Sequence, residues 1–190
     1  MSKAKYTDEE LIISFQGGDV SSFNEIVLRY KDRLLNYING YMNDVAVSEN
    51  LLQDTFMKVY THGNSYKEIA KFSTWIYTIA GNLAKTELRK LKRRKTFTFS
   101  QLSSDDNDFN LDRVNYNRES SEKDHETYDA IRAAIPKLSE DYRNIIILRD
   151  IQELSYDEIS SITKLALGTV KSRINRARLK LRNIIKENRE

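Results

Sequence analysis

The stretch LSYDEISSITKLALGTVKSRINRAR, residues 154–178, decides the fold. Ser155 and Glu158 stand three residues apart, just ahead of Ile159 and Ile162. That spacing is a capping box: hydroxyl and carboxylate each satisfy a backbone N–H that the first helical turn leaves unpaired. A break follows at Thr163–Gly168, and Thr169 is placed to cap a second helix whose core stripe is Val170, Ile174, Ala177, Leu181 and Ile184. A short helix, a short turn and a longer helix form a helix-turn-helix, in which the second helix enters a major groove by its N-terminal end. Its first turn offers Thr169, Lys171, Ser172 and Arg173, with Arg176 on a similar face and Arg178, Lys180 and Arg182 extending the charge. Arg and Lys pair with guanine acceptors, Ser and Thr serve base edges or phosphate, and a helix N-terminus favours a phosphate oxygen. The competing reading is a solvated basic face on an ordinary amphipathic helix.

Upstream of this stretch helical periodicity returns near His125. Tyr128, Ile131 and Ile135 form a short stripe ended by Pro136, and Ser139 can cap a helix carrying Tyr142, Ile145, Ile146 and Arg149. Between Thr96 and Lys123 the pattern is lost. Ser103–Asp108 and Asn117–Ser121 are polar, acids outnumber bases, and apolar residues are too sparse to offset the entropy of ordering. An acidic flexible linker is expected there, with a weak alternation at Thr96–Phe99.

The N-terminal half predicts four helices. Thr7 with Glu10 opens the first and Gly17–Asp19 stops it. Ser22 with Glu25 is read as the cap of the second, whose stripe is Phe23, Ile26, Val27, Tyr30, Leu34, Tyr37, Ile38 and Tyr41. The third spans about Asp44 to Tyr60, with Leu52, Phe56 and Val59 on one side; His62–Ala70 is a loop. The fourth spans about Phe72 to Arg94, with Phe72, Trp75, Ile76, Ile79, Ala80, Leu83, Leu88 and Leu91. Four such stripes bury one another only as a helical bundle, so the fold class is all-α.

Chain-wide numbers exclude more than they assign. The 190 residues suit one ordinary domain or two small ones, and 39% hydrophobic against 31% charged residues favours two with high surface-to-core ratio. Net charge is only +3, so segregation of charge along the chain is the informative feature. With no cysteine, disulfides, thiolate zinc sites and thiol catalysis are excluded. His62 and His125 are isolated, and no metal site is expected. No phosphate-cradling glycine loop or placeable Ser-His-Asp set exists, so no cofactor and no enzymatic activity are expected. The first residues lack an apolar signal region, and no apolar run approaches the roughly 20 residues of a membrane span. A cytoplasmic protein without membrane insertion is expected.

A second basic cluster closes the fourth helix: Lys85, Arg89, Lys90, Lys92, Arg93, Arg94 and Lys95, with Glu87 the only acid. A strand passing it gains affinity by counterion release. Exposed aromatics at Tyr66, Phe72, Trp75 and Tyr77 beside it would offer stacking faces for single-stranded bases. For Trp75 the alternative is an ordinary core residue at helical spacing.

Three stretches in order resemble one known family, the compact extracytoplasmic-function (ECF) sigma factors of bacterial RNA polymerase within the sigma-70 family. Asn50–Tyr60 looks like its polymerase-binding helix, and Phe72–Ala84 is similar to its promoter-melting helix. Leu154–Ile159 with Gly168–Arg173 and Arg176–Arg178 resembles its reader of the minus-35 element. The resemblance covers nearly the whole chain. It implies a sigma region 2 domain over 1–95, a linker over 96–123 and a sigma region 4 domain over 124–190.

It also implies a division of labour. Asn50, Gln53, Asp54 and Phe56 would dock on the clamp of the largest subunit of core polymerase, and region 4 near the flap of the second largest. The loop Gly63–Lys71 would capture a flipped minus-10 base, with Asn64, Ser65, Tyr66, Lys71, Phe72, Trp75, Asn82, Lys85 and Arg89 on the melted strand or duplex edge. Tyr156, Thr169, Lys171, Ser172, Arg173, Arg176 and Arg178 would hold the minus-35 duplex. An anti-sigma factor is a further implied partner. The alternatives are a helix-turn-helix regulator acting without core polymerase, or a sigma factor brought to DNA by another protein. The chain departs from the family at Lys164, where Gly is usual, and at Ala166, often Pro. A Lys at positive φ costs roughly 1 kcal/mol, so a reshaped turn is expected.

Overall fold

The computed structural model describes residues 5–99, 130–131 and 133–187. The linker expected over 96–123 lies outside them from residue 100 onward, as does Tyr128. Every regular element among the described residues is helical. The N-terminal half holds α1 (Asp8–Gln16), α2 (Val20–Met42), α3 (Val45–His62) and α4 (Phe72–Phe99). Among the described residues, the C-terminal half holds helical residues 130–131 and 133–134, a 3₁₀ turn at Ile135–Lys137 and three longer helices. These are α5 (Glu140–Ile146), α6 (Tyr156–Thr163) and α7 (Leu167–Glu187).

Local chemistry sets the boundaries. Both capping boxes form: Thr7 with Glu10, and Ser155 with Glu158. The second helix corrects its expected cap. Asp19 is the N-cap and accepts from the Ser21 N–H, so α2 starts at Val20; Ser22 is buried inside the first turn and its hydroxyl donates to Asp19. Asp19 wins because an aspartate accepts more strongly than a serine hydroxyl. Glu25 then serves as the i,i+4 ion-pair partner of Arg29. Ser139 is the N-cap of α5, without a side-chain bond. α4 runs to Phe99, past the expected end near Arg94, so Thr96–Phe99 is helical. Beyond α5 the chain continues as a π-turn, Ile147–Ile151, closed by the Gln152 N–H to the Ile147 carbonyl.

The two halves have different interiors that meet. Around α2 and α4 the core is aromatic: Tyr30, Tyr37, Tyr41, Phe72 and Tyr77 are almost wholly buried. Edge-on pairs such as Tyr37–Tyr77 (centroids 5.3 Å apart) and Tyr30–Phe72 (5.5 Å) fill it. The C-terminal half is aliphatic, built on Ile145, Ile146, Ile147, Leu148, Ile159, Val170 and Ile174. Tyr30, Tyr37 and Tyr41, four or seven residues apart along α2, put their rings inside while their hydroxyls reach polar partners.

Candidate nucleic-acid and polymerase interface

α3 carries the first candidate surface. Asn50, Gln53, Asp54, Met57 and Lys58 are exposed along it, while Leu51, Thr55 and Val59 are buried on the opposite side. Phe56 is half-buried, its ring edge-on to Phe23 at 6.4 Å, within a patch that also includes Phe15 and Tyr60. The residues expected to face core polymerase thus share one helix face, with Phe56 anchored in the hydrophobic edge of that face.

The second surface is the loop between α3 and α4 and the start of α4. Asn64, Ser65, Lys67, Glu68, Ile69 and Lys71 are exposed. The expected exposure of Tyr66, Phe72 and Tyr77 is corrected, because all three are buried. Tyr66 stacks against Phe72 and Trp75 (5.8 and 5.5 Å) and donates its hydroxyl to the Ala70 carbonyl, so it shapes the loop from inside. Only Trp75 of the four keeps an accessible side; it is half-buried against Tyr66 and Phe72. The core reading of Trp75 therefore holds in part, and its accessible side is the face the stacking reading would use.

α1 braces this loop, which the sequence pattern did not reveal. Gln16 Nε2 donates to the carbonyls of Gly63 (2.9 Å) and Tyr66 (3.1 Å), and Glu9 accepts the Phe72 N–H at 2.9 Å, capping α4 from another helix. A Cβ at Gly63 would lie 2.9 Å from the Phe15 ring, so the loop backbone rests directly on α1. Farther along α4, Asn82 and Arg89 are exposed and Lys85 is half-buried.

The third surface is the helix-turn-helix. Lys164 takes the left-handed conformation (φ 57°, ψ 32°) that ends α6, and the Ser160 hydroxyl donates to the Leu165 carbonyl across the turn. The expected reshaping is thus corrected: Lys adopts the conformation for which Gly is usual. Thr169 is not the cap of α7. The Val170 N–H to Ala166 carbonyl bond closes the first turn earlier, and α7 starts at Leu167. Thr169 is half-buried inside the helix, and its carbonyl accepts the Ser172 hydroxyl.

Exposed on the first turns of α7 are Lys171, Ser172 and Arg176. Arg173 pairs with Asp141 of α5 at 3.0 Å, and Arg178 forms a bidentate pair with Asp150 of the π-turn. Tyr156 packs under Arg149 and near Lys171, 4.8 and 6.0 Å from its ring centroid. Val170, Ile174 and Ala177 form the buried stripe, as their spacing predicts.

The two halves are joined by polar contacts absent from the sequence reading. Tyr37 donates to Asn144 Oδ1 (2.9 Å), Tyr77 to Gln152 Oε1 (2.6 Å) and Tyr41 to Glu140 (2.9 Å). Burial pushes the Tyr77 hydroxyl up to about 12, and burial likewise raises Tyr37 and Tyr41, so all three are donors at neutral pH. Glu158 uses Oε2 for its capping box and Oε1 for Lys71 (3.2 Å) and the Ser73 hydroxyl (3.4 Å). Glu140 also meets Lys92 at 3.0 Å. Burial pushes Glu158 and Glu140 upward, but donors outweigh it and hold both below the usual carboxylate range: Ser155 and Lys71 for Glu158, Lys92 and Tyr41 for Glu140. The only sequence signal was two amides, Asn144 and Gln152, flanking an apolar run.

An all-helical pair of units, one ending in a helix-turn-helix and the other presenting a basic helix, is an arrangement suited to binding DNA. Sigma-70 region 2 matches residues 26–94 and sigma-70 region 4 matches residues 128–181. The RNA polymerase sigma-H factor of Pseudomonas aeruginosa is 32% identical over 175 residues, covering 90% of both chains. The ECF RNA polymerase sigma factor SigW of Bacillus subtilis is 32% identical over 181 residues, 90% of this chain and 92% of that one. Among solved structures, the sigma factor RpoE of Bartonella quintana, in complex with the anti-sigma factor NepR, superposes with a TM-score of 0.70 at 25% identity. That superposition covers 86% of this chain and 96% of the other. The chain belongs to the sigma-70 family, in its ECF group, and acts as a sigma factor in transcription initiation.

Proposed function

We propose that this sigma factor docks on core RNA polymerase through the exposed face of α3 and grips promoter DNA at two separated points. Asn50, Gln53, Asp54 and the rim of Phe56 supply the clamp contact; the C-terminal half lies near the flap. The loop 63–71 with Asn64, Ser65 and Lys71 receives a flipped minus-10 base. Trp75 stacks on the melted strand, and Asn82, Lys85 and Arg89 follow its backbone. Tyr66 and Phe72 act by holding the loop's shape. Lys171, Ser172, Arg173, Arg176 and Arg178 address the minus-35 duplex from α7, and Tyr156 supports Lys171 and Arg149 beneath it. In domain terms, 1–95 and 124–190 are the two grips and 96–123 joins them.

The observation that carries this reading is the coexistence of an exposed polar face on α3 with exposed Lys171, Ser172 and Arg176 on the first turns of a helix-turn-helix. A regulator working without polymerase needs only the second. The left-handed Lys164 supports the reading of an ordinary helix-turn-helix turn. The chain works as a non-catalytic specificity subunit in the cytoplasm, and an anti-sigma factor restrains it, as the solved complex of the Bartonella quintana relative suggests. No helix among the described residues is long and apolar enough to cross a membrane. Co-purification with core polymerase and run-off transcription from its selected promoters test the reading. Asp54→Arg is expected to abolish core retention; a wild-type chain that fails to bind core at low salt sinks the proposal.

A further inference from the structure

Ile69 stands at the tip of the loop between α3 and α4 with 89% of its surface exposed. The next most exposed large apolar side chains among the described residues, Leu28 and Met57, reach 62% and lie on helices. Apolar residues scattered singly over a surface need no partner. Ile69 differs from them in how it is held. Its N–H donates to the Lys67 carbonyl at 2.7 Å, closing a three-residue turn at the loop tip. Tyr66 ties the next residue down from inside, donating its hydroxyl to the Ala70 carbonyl at 2.8 Å. Gln16 holds the Gly63 and Tyr66 carbonyls and Glu9 holds the Phe72 N–H, so both ends of the loop are fastened to α1. Folding has already ordered the loop, and a contact made by Ile69 does not bear that cost again.

The surroundings of Ile69 choose its partner. Every residue from 64 to 71 except Tyr66 is exposed, and Ile69 is the one large apolar side chain exposed among Asn64, Ser65, Lys67, Glu68 and Lys71. A protein partner that buries an apolar anchor encloses it in further apolar contact, which this polar tip does not offer. A nucleobase suits it better. Thymine alone among the DNA bases carries a methyl group, at C5, away from its hydrogen-bonding edge. The amide of Asn64 and the hydroxyl of Ser65 can serve that polar edge while an aliphatic tip covers the methyl. Lys67 and Lys71, two residues to either side of Ile69, suit the flanking phosphates.

We propose that Ile69 is a specificity-determining residue that reads the C5 methyl of a thymine captured from the melted strand. The proposal rests on the reading of loop 63–71 as the receiver of a flipped base. Ile69 makes no hydrogen bond to that base. It adds a preference for thymine over an otherwise identical base without the methyl, and burial of one methyl corresponds to about a 4-fold preference.

The test uses holoenzyme assembled from the full chain and core polymerase, on a promoter taken from the run-off selection. Each thymine of the minus-10 element, on either strand, is replaced singly by deoxyuridine. That replacement keeps the stacking face and the hydrogen-bonding edge and removes only the methyl. Affinity is read by competition against the fluorescein-labelled promoter. One replacement is expected to weaken binding by wild-type holoenzyme about 4-fold. With Ile69→Ser, thymine and deoxyuridine at that position are expected to bind equally, and Ile69→Val should keep most of the difference. Because Ile69 is exposed, Ile69→Ser should leave the thermal midpoint and core retention unchanged. Wild-type holoenzyme indifferent to every replacement overturns the proposal, as does an Ile69→Ser holoenzyme that keeps the full difference. Loss of core retention in Ile69→Ser makes Ile69 a polymerase contact and overturns it too. A wild-type chain that retains no core brings down the two-grip reading, and this proposal with it; one that retains core and melts its promoter yet ignores the methyl brings down this proposal alone.

Discussion

Lys71 and Lys92, just before and within α4, meet carboxylates from the opposite half of the molecule, whereas Arg173 and Arg178 on α7 meet carboxylates from their own half. The same pairing chemistry has two different consequences. A cation held from across a junction changes partner when the junction opens. A cation held by its own scaffold keeps its partner, as Arg173 keeps Asp141 and Arg178 keeps Asp150. The cores differ in parallel. Tyrosines give the N-terminal half both apolar bulk and hydroxyls that reach outward, so its interior doubles as a docking face. The C-terminal half answers them with two buried amides, Asn144 and Gln152, set beside an aliphatic interior.

The largest effect expected is in the aromatic core. Phe72→Ala should cost about 3–5 kcal/mol in denaturant unfolding, because Phe72 is fully buried between Tyr30, Tyr66 and Trp75. A loss below about 1 kcal/mol would show that the loop repacks and is not fixed by that core. Next, Arg173→Ala should weaken minus-35 duplex binding by about 1–3 kcal/mol with loss of sequence discrimination, measured by fluorescence anisotropy. Equal loss on every sequence would make Arg173 a phosphate contact and Asp141 a simple surface partner.

Gln16→Ala removes two bonds to the loop backbone and should cost about 1–2 kcal/mol of bundle stability. It should also reduce discrimination at the captured base more than core binding; loss confined to core binding would separate α1 from the loop's function. Lys164→Gly should raise stability by roughly 0.5–1 kcal/mol by relieving the left-handed Lys. A decrease in thermal midpoint would show that Lys164 makes a stabilising contact of its own.

Acid should separate the halves before salt-insensitive contacts fail. Against the upward push of burial, Glu140 is held below the ordinary carboxylate range by Lys92 and Tyr41 of the other half, so its contribution is present above that range and lost as pH falls through its lowered value. Glu158, by contrast, is lowered first by Ser155 of its own capping box and only then by Lys71. A thermal midpoint that holds constant as pH falls through that range would assign the junction wholly to the tyrosine–amide contacts.

Much of the fold was legible because it rests on short-range rules. Two capping boxes, the break at Lys164 and the stripe Val170–Ile174–Ala177 each follow from neighbours within a turn or two. Misreadings arose where two local options competed, as with Asp19 against Ser22, or where Thr169 looked like a cap but the turn closed at Ala166. Exposure of the loop aromatics was not legible, since helical spacing alone does not say whether Phe72 and Tyr77 face one neighbour or are enclosed by several.

By itself the sequence determined the helices, the helix-turn-helix, the basic ends of α4 and α7 and the resemblance to sigma factors, because periodicity, caps and charge are written within one or two turns of chain. Tertiary structure alone decided that Glu9 and Gln16 brace the loop, that Tyr37 and Tyr77 find Asn144 and Gln152, and that Glu158 lies on Lys71. Those contacts join residues 47 to 107 positions apart, and no local pattern names the partner of a buried hydroxyl or carboxylate. Only the packing of one half on the other brings the two within hydrogen-bond reach.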